Sequence, residues 1–384
     1  MLCRRRKLAM DLTLDIDHLP RPPLRNDFGI GAVGAGFIMR DIQLVAYRNA
    51  GFSVAGITSR TPEIAREVAE LRGIPQVYSS VAEMLDDPAV KIVDVAVPPD
   101  QQLGIIRQIM NARHKPLGIL AQKPLAMNYT EACEIVHLCR ASGIRLAVNQ
   151  NMRYDHSIRA AKSILQRGYL GEPVFATIEM RAVPHWQRWL PDYSRLTLLN
   201  MSVHHLDAFR YLFGNPDAVY CSTRTDPRTK FAHEDGICLY ILEYDSGFRA
   251  SAWDDIWAGP LTKEKHLDPY IKWRIEGTEG LAEGMLGWPS YPDHQPSTVR
   301  FSSLRYPGLW ITPRWSEAWF PDAFEGPMAA LMDSIARDCE PENSGADNLN
   351  TMALIEACYR SIREKRSVRI SQIEDDYAAA PGTR

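Results

Sequence analysis

The sequence predicts an α/β protein of two domains: a doubly wound parallel sheet, then an α+β domain with an open, mostly antiparallel sheet. Its length of 384 residues is typical of two domains. From Phe28 to Asn149, short apolar runs alternate with longer amphipathic ones, which predicts repeated strand–helix units. Beyond Asn149, strand-like runs follow one another through tight turns. We therefore place an N-terminal extension at 1–27, the first domain at 28–148 and the second at 149–384.

The predicted strands of the first domain are apolar along almost their whole length, as expected for strands buried on both faces of a parallel sheet. They are Gly29–Val33, Ser53–Thr58, Ile92–Val97, Gly118–Ala121 and Arg145–Val148. The helices predicted between them are Ile38–Asn49, Pro62–Arg72, Val81–Asp86, Gln102–Ala112 and Thr130–Ser142. In the last helix, Thr130 is the predicted N-cap and Gly143 the residue that follows the C-cap.

The second domain is predicted to combine helices with strands joined by hairpins. The helices are His156–Arg167, His204–Phe213, Phe324–Arg337 and Leu349–Lys365. The strands are Val174–Val183, Ala218–Thr225, Gly236–Tyr244, Phe248–Trp257, Ile271–Glu276 and Val299–Ser303. Gly247 supplies the positive φ that a hairpin turn between Tyr244 and Phe248 needs. Residues 284–296 are predicted to be an ordered loop, and the chain from Asp375 a polar tail without regular structure.

Composition argues against several classes of function. The formal net charge of -3 is unlike that of a dedicated nucleic-acid-binding protein, and the basic run Arg4–Lys7 is interpreted as a solvated tail. The seven scattered cysteines form no C-x-x-C pair, which favours reduced thiols over disulfides or a zinc site. No apolar run approaches the roughly 20 residues of a membrane span. We expect a cytoplasmic protein that binds a small molecule, with neither a nucleic acid nor a membrane as partner.

A glycine-rich turn after the first strand predicts a dinucleotide site. Gly29-x-Gly31-x-x-Gly34 fits the G-x-G-x-x-G pattern literally, but it would put the turn inside the strand. Gly34 and Gly36 instead follow the strand and open a helix, which is the arrangement that lets backbone N–H groups approach a pyrophosphate. In this second alignment Met39 takes the place of the usual small third residue, so we expect the packing of helix on strand to differ there.

The end of the second strand predicts which dinucleotide is bound. An acidic residue there would bind the ribose 2′-hydroxyl of NAD, whereas an arginine nearby would accommodate the 2′-phosphate of NADP. This chain has Ser59 and Arg60 at that place and no acid. A guanidinium pairs well with phosphate, so the sequence favours NADP(H), with NAD as the alternative. Arg60 as a solvated loop residue is the simpler explanation of the same pattern.

Further polar residues follow the fourth and fifth apolar segments. Pro98 comes after one predicted strand, and Gln122 and Lys123 after the next, at the edge of a parallel sheet where ligands bind. Much later in the chain, Asn200 and His204 stand four residues apart and would project from one face of a helix. These groups are candidates for a single catalytic centre.

The chain resembles the glucose–fructose oxidoreductase, inositol dehydrogenase and MocA-like family of oxidoreductases. The likeness extends from Phe28 to Ile370. The motifs that carry it, in chain order, are the glycine turn, Pro98-Pro99, Gln122-Lys123-Pro124, Arg153-Tyr154, residues 168–173, the segment from Asn200 to His204, residues 276–280 and the helix at 347–361. The resemblance implies a Rossmann domain followed by an open-sheet domain that often forms a dimer interface, hence a homodimer or homotetramer.

The resemblance also implies roles for particular residues. Lys123 would lie near the nicotinamide and polarise the reacting oxygen, His204 would be the general acid–base, and Asn200 completes the catalytic set. The expected dinucleotide contacts are Gly34, Gly36, Phe37, Ile38, Ser59, Arg60, Pro98, Gln122 and Lys123. A nicotinamide-dependent dehydrogenase acting on a sugar or cyclitol is therefore expected.

Two departures from the family pattern bear on the substrate. Gln122 replaces the glutamate of the Glu-Lys-Pro motif, and Asn200 replaces an aspartate. An amide can orient a hydroxyl or an imidazole but takes no proton, so acid–base work falls to Lys123 and His204. A relatively acidic hydroxyl suits such a centre best, which favours oxidation of an aldose at its anomeric hydroxyl to a lactone.

Other residues are expected to line the substrate pocket. Asn200 and His204 would contact the substrate, and His185 and Trp186 suggest an aromatic wall on which a sugar stacks, with core packing as the alternative. Arg153 and Tyr154 either reach the pocket or anchor the two domains. The group His204-His205-x-Asp207 lacks further ligands for a metal, so no metal site is predicted and His205 is expected to be structural.

Two rival functions fit parts of the same pattern. One is a reductase of another carbonyl or imine compound, because the family spans such chemistry. The other is a cofactor-binding sensor that has lost catalysis, which Gln122 and Asn200 keep open. Retention of both Lys123 and His204 speaks against the sensor.

Overall fold

The structure, a computed structural model, describes residues 16–182, 189–257 and 269–379. Five parallel strands form the first sheet, in the order β2-β1-β3-β4-β5. They are β1 (Gly29–Val33), β2 (Val54–Thr58), β3 (Val90–Val95), β4 (Gly118–Ala121) and β5 (Arg145–Val148). The helices that connect them are α1 (Leu44–Ala50), α2 (Pro62–Arg72), α3 (Val81–Asp86), α4 (Pro99–Asn111) and α5 (Tyr129–Ala141). The predicted doubly wound parallel sheet is thus confirmed.

Eight strands form the second sheet, in the order β12-β11-β10-β6-β9-β8-β7-β13. They are β6 (Pro173–Arg181), β7 (Ala218–Arg224), β8 (Ile237–Glu243), β9 (Arg249–Asp255), β10 (Tyr270–Gly277), β11 (Gly280–Met285), β12 (Thr298–Ser303) and β13 (Val368–Arg369). All neighbouring pairs are antiparallel except β6 and β9. The hairpin between β8 and β9 turns at Gly247, whose φ is +93°, as predicted.

The helices of the second half are α6 (His156–Gln166), α7 (Val203–Phe213), α8 (Glu325–Arg337), α9 (Gly345–Glu364) and α10 (Ser371–Ala379). Two of them return to the first sheet. Leu331 and Ile335 of α8 pack within contact distance of Gly118 in β4, and Ser344 at the start of α9 pairs with Ala147 of β5. The C-terminal part of the chain therefore completes the layer that covers the first sheet.

Several details differ from the sequence predictions. The chain from Ser371 to Ala379 forms α10 rather than a tail without regular structure, and β11 and β13 were not predicted. The N-cap of α5 is Asn128, whose side chain accepts a hydrogen bond from Glu131 N, rather than Thr130. Helix α4 begins at Pro99, because proline is favoured in the first turn of a helix. The helix after the glycine turn begins as a π-helical turn, Ile38–Gln43, with Met39 fully buried.

The part of the N-terminal extension that the structure describes packs on the second half of the chain. The backbone of Asp17 donates to Ser163 Oγ at 3.1 Å, and that of Leu24 donates to Asp333 Oδ1 at 2.9 Å. His18 stacks on Trp315 with ring centroids 4.9 Å apart. The basic run Arg4–Lys7 lies outside the described residues. Within the residues described, no helix is long and apolar enough to span a bilayer.

Candidate active site

The glycine turn lies where the ends of β1, β2 and β3 meet. Gly34 N donates to Thr58 O at the end of β2 at 2.8 Å. The φ of Gly34 is +103°, and a Cβ there would lie 2.3 Å from Ala96 O, just beyond β3. Glycine is therefore required at this position both by the backbone conformation and by the close approach. Gly29 and Gly31 lie inside β1, so the turn is the one formed by Gly34 and Gly36.

Beyond the turn the chain fits a dinucleotide. Gly36 is exposed, and a Cβ built there meets no atom within 4 Å, which leaves open space at the start of the following helix. Phe37 and Ile38 are partly exposed beside it, and Phe37 packs edge-on against Tyr291 with centroids 5.8 Å apart. A helix start with open space in front of its first glycine suits the approach of a pyrophosphate.

Ser59 and Arg60 directly follow β2 and so lie beside Gly34. Ser59 Oγ accepts a hydrogen bond from Thr61 N at 3.3 Å. Arg60 is exposed, and its guanidinium has no ion pair within the part of the chain that the structure describes. A free cation therefore lies at the place where the adenosine ribose binds in Rossmann domains.

The segment that carries Lys123 is held by one buried side chain of α4. The Gln102 amide donates to Gln122 O at 3.0 Å and to Pro124 O at 2.7 Å, and its oxygen accepts from Gln122 N at 2.8 Å. Pro98, the residue before α4, lies at the end of the neighbouring strand. These three hydrogen bonds fix the backbone on both sides of Lys123, and no local sequence pattern predicts them.

Two buried carboxylates hold the helix that carries Asn200 and His204. This helix begins as a π-helical turn, Leu198–Ser202, and continues as α7. Asp235 accepts hydrogen bonds from Leu196 N at 2.6 Å and Leu198 N at 2.8 Å. Asp254 of β9 accepts from Ser202 Oγ and lies 2.8 Å from His205 Nδ1. His205 is thus structural, as predicted, and the backbone around His204 is anchored on both sides.

The structure brings Lys123 to this helix. Lys123 Nζ donates to Asn200 O at 2.6 Å and lies 3.4 Å from Asn200 Oδ1. Burial lowers the pKa of Lys123 to about 7, although part of the residue's surface remains exposed. Burial, and then the charge of Lys123, lower the pKa of His204 well below its ordinary value. Lys123 thus contacts the residue one helical turn before His204, and the lowered pKa values leave neither group fully protonated at neutral pH.

Aromatic residues that the sequence did not single out border His204. The ring of Trp319 meets the imidazole edge-on, with centroids 5.4 Å apart, and Trp288 packs edge-on against Trp319 at 6.1 Å. The aromatic wall predicted at His185 and Trp186 lies outside the described residues. No local pattern marks Trp319, because its neighbours in space are distant in sequence.

The structure corrects the placement of Arg153 and Tyr154 in the substrate pocket. Arg153 is buried, and its guanidinium pairs with Asp207 at 2.5 Å and with Asp347 at 2.6 Å. Tyr154 is also buried, and its ring packs against Gly326, where a Cβ would lie 2.2 Å away. Both side chains are held between α7, α8 and α9. They fit the alternative role, that of anchoring the two halves of the chain.

The residues of the possible metal site have other partners. Asp207 is paired with Arg153 and His205 with Asp254. Among the residues that the structure describes, no group of three or more His, Cys, Asp or Glu side chains could hold a metal ion.

A buried polar network lies beneath the Lys123 segment. Asp94 of β3 is 1% exposed and accepts hydrogen bonds from Tyr47 OH at 2.6 Å and Gln43 Nε2 at 2.7 Å. Gln43 Oε1 in turn accepts from Gln122 Nε2 at 3.3 Å. Burial raises the pKa of Asp94 to about 7, although both donors lower it. The network connects the π-helical turn after Gly36 with the residue beside Lys123.

Comparison with known proteins identifies the family. Residues 28–150 match the model of the GFO/IDH/MocA oxidoreductase family with an NAD-binding Rossmann fold. Residues 162–370 match the model of the same family's C-terminal alpha/beta domain. The chain therefore belongs to the GFO/IDH/MocA family and is an oxidoreductase with an NAD-binding Rossmann domain, as the sequence analysis predicted.

Individual relatives cover nearly the whole chain. A D-apiose dehydrogenase of Paraburkholderia graminis is 26% identical over 359 residues, which cover 91% of this chain and 92% of that protein. A D-xylose 1-dehydrogenase (NADP(+)) of Haloferax volcanii is 24% identical, with 89% and 99% covered. The fold is similar to that of an oxidoreductase from Agrobacterium radiobacter solved with NAD+, L-tartaric acid and magnesium, with a TM-score of 0.75, 24% identity, and 90% and 99% of the two chains covered.

Proposed function

We propose that the protein is a nicotinamide-dependent dehydrogenase of a sugar or cyclitol, with Lys123 and His204 as its catalytic residues. The observation that carries the proposal is the convergence of the two groups: Lys123 Nζ lies 2.6 Å from the carbonyl of Asn200, one helical turn before His204. This centre lies at the edge of the parallel sheet that also carries the glycine turn. The sugar dehydrogenases among the relatives support the substrate class.

The reaction moves one proton and one hydride. The substrate hydroxyl gives its proton to the neutral form of His204 or Lys123. The hydrogen on the carbon that bears this hydroxyl leaves with its electron pair, so that a carbonyl remains. Acceptance of this hydride is the chemistry that a nicotinamide would supply, with the turn at Gly34 and Gly36 holding its dinucleotide. Lys123 is placed to hold the reacting oxygen, and Asn200 to orient Lys123 through two oxygen atoms.

The lowered pKa values favour an acidic hydroxyl as the reacting group. A base whose pKa lies well below its ordinary value accepts a proton weakly, and this centre has an amide at Asn200 where a carboxylate would strengthen the base. The anomeric hydroxyl of an aldose is more acidic than a ring alcohol. We therefore propose that an aldose is oxidised at its anomeric carbon to a lactone.

A substrate screen tests the proposal. Purified protein is mixed with NAD or NADP and a panel of aldoses and cyclitols, and the absorbance of reduced nicotinamide is followed. We expect turnover of at least one aldose, and its loss in Lys123→Ala and in His204→Ala. Lys91→Ala and His137→Ala make the same changes at exposed positions and should retain full activity. Tight dinucleotide binding without turnover of any polyol, lactone or ketose would reject catalysis.

Ser59 and Arg60 support NADP as the preferred dinucleotide. The guanidinium of Arg60 would pair with the 2′-phosphate, and none of the four residues directly after β2 (59–62) is acidic, so none would repel that phosphate. Arg60→Ala is expected to raise the dissociation constant of NADP about tenfold or more and to change that of NAD little. Arg66→Ala, an exposed arginine of α2, is the matched control. An equal loss for both dinucleotides, or no loss, would remove Arg60 from the phosphate site.

A second copy of the chain is the proposed protein partner. Tyr220, Leu239 and Ile241, on the neighbouring strands β7 and β8, are exposed on the open face of the second sheet. Such a contiguous apolar face supports a homodimer or homotetramer. Light scattering should give a mass of two or four chains, and Leu239→Glu should reduce it. The described cysteines are free thiols, which supports a reducing compartment such as the cytoplasm.

A further inference from the structure

Two amides with unpaired atoms lie at the carboxyl end of β5, next to Lys123. β5 pairs in parallel with β4, and Asn149 N donates to Ala121 O at 2.8 Å, so Asn149 and Gln150 follow β5 where Gln122 and Lys123 follow β4. Gln150 is 1% exposed, yet within the described part of the chain neither its Oε1 nor its Nε2 has a hydrogen-bond partner. Asn149 Nδ2 is unpaired in the same way.

The same segment also contacts the surroundings of His204. Asn151 Oδ1 accepts a hydrogen bond from Trp319 Nε1 at 2.9 Å, and Trp319 meets the imidazole of His204 edge-on. Residues 149–151 therefore lie between the strand that leads to Lys123 and the aromatic neighbour of His204. Nδ1 of His204 and Nε1 of Trp288 are likewise without a partner among the described residues. Among the described residues, unpaired polar atoms thus occur both in the segment beside Lys123 and at His204 itself.

An unpaired amide is costly in the protein interior. Each buried donor or acceptor without a partner costs about 1–3 kcal/mol, and native proteins retain few of them without a functional reason. Both polar atoms of Gln150 are buried and have no partner among the described residues. A ligand that both donates and accepts would satisfy them, because a carboxamide offers one acceptor and two donor hydrogens. Neighbouring hydroxyl groups on a sugar or cyclitol have this combination.

We propose that Gln150, with Asn149 beside it, determines substrate specificity by hydrogen-bonding two neighbouring hydroxyl groups of the substrate. The proposal rests on the proposed function, since it deepens the assignment of a polyol to the same centre. The Oε1 atom of Gln150 accepts a hydrogen bond from one hydroxyl group, and its Nε2 atom donates a hydrogen bond to the neighbouring one. The side chain takes no part in proton or hydride transfer; it recognises hydroxyl groups next to the carbon that reacts.

Deoxy substrates distinguish this role from a structural one. The kcat/KM of the best aldose or cyclitol from the screen is compared with that of its singly deoxygenated analogues, in the wild type, Gln150→Leu and Gln150→Glu. We expect Gln150→Leu to lower kcat/KM for the full polyol by about tenfold to a hundredfold, since one or two hydrogen bonds are lost. The analogue that lacks the recognised hydroxyl should lose little further, so the wild-type preference for the full polyol should collapse. Gln150→Glu, which keeps an acceptor but loses the donors, should fall between.

Three measurements separate the alternatives. Gln166→Leu, the same change at the exposed end of α6, should leave all constants unchanged. The dissociation constant of the dinucleotide should be unaltered in Gln150→Leu, and a loss confined to the dinucleotide would overturn the proposal. An equal loss of kcat/KM for the full polyol and every deoxy analogue would also overturn the proposal, because Gln150 would then only support the fold. No loss of kcat/KM at all would overturn it as well, because water would then satisfy the amide.

Failure of the proposed function can be recognised separately. If the wild type turns over no polyol, polyol-induced shifts of the thermal midpoint are measured in the presence of the dinucleotide. A shift that is present in the wild type and absent in Gln150→Leu would retain Gln150 as the recognising residue and reject only catalysis. No shift in either protein would overturn both proposals.

Discussion

The buried carboxyl group of Asp94 is expected to make folding stability fall as the pH rises. Asp94 is 1% exposed, and burial raises its pKa from 3.8 to about 7 despite hydrogen bonds from Tyr47 and Gln43. The folded state therefore holds this proton more tightly than the unfolded chain does. By linkage, the protein loses stability as the pH rises from about 4 to about 7 and loses no more above that range.

The size of the effect follows from the two pKa values. A difference of about three pH units, at about 1.4 kcal/mol per unit, gives at most about 4 kcal/mol over the whole range. Between pH 5 and pH 8 the same relation gives about 3 kcal/mol. Asparagine at position 94 stays neutral, and its amide oxygen can accept both hydrogen bonds. Relative to the wild type, Asp94→Asn should therefore become more stable by about 3 kcal/mol between these two pH values.

Urea unfolding followed by tryptophan fluorescence, at one-unit steps from pH 5 to pH 8, measures this difference. Other buried carboxyl groups with raised pKa values, such as Asp155, affect both proteins equally and cancel. Asp86→Asn, at an exposed position, should show a constant difference from the wild type. If Asp94→Asn also differs from the wild type by a constant amount, Asp94 is ionised in the folded protein at pH 5 and the argument from burial is refuted.

Three further predictions concern the site and its support. Asn200→Asp puts a carboxylate at an oxygen 3.4 Å from Lys123 Nζ, so the low-pH limb of kcat/KM should move up by about one pH unit or more; an unchanged profile would contradict this contact. Gly36→Ala should keep the wild-type thermal midpoint but bind the dinucleotide about tenfold or more weakly. Gly34→Ala should lower the thermal midpoint, because the φ of Gly34 is +103° and a Cβ has no room there; equal midpoints for the two variants would contradict the geometry of the turn. Arg153→Met should lower the free energy of unfolding by about 1–3 kcal/mol, because the buried carboxylate of Asp207 loses both hydrogen bonds from Arg153 and keeps only Thr351 and the more distant Arg210. The KM for substrate should stay near the wild-type value, and a raised KM with intact stability would return Arg153 to the pocket.

The sequence predicts the first sheet well because buried parallel strands carry their structure in local composition. Gly118–Ala121 and Arg145–Val148 have the bounds that the apolar pattern predicts. The pattern fails where the structure depends on distant partners. β13 is two residues long and exists through its pairing with β7, and α10 is polar and has no buried residue, so neither carries an apolar period.

The same distinction explains which site residues the sequence predicts. Lys123 is marked by its place after a buried strand, and His204 by a spacing of four residues from Asn200, and both are local features. Trp319 comes to the site through a contact with Asn151, 168 residues away, which no local pattern could indicate.

Arg153 shows why residue type alone misleads. An arginine near a predicted cleft binds an anionic or polar ligand only if the fold leaves its guanidinium unpaired. Here the carboxylates of Asp207 and Asp347, 54 and 194 residues away in the chain, occupy it, and it becomes part of the support between helices. Gln150 is the opposite example, an ordinary amide beside Lys123 that has no hydrogen-bond partner among the residues the structure describes. Hydrogen-bond partners, which only the folded chain determines, therefore separate Arg153, whose guanidinium is paired, from Gln150, whose amide has no partner among the described residues.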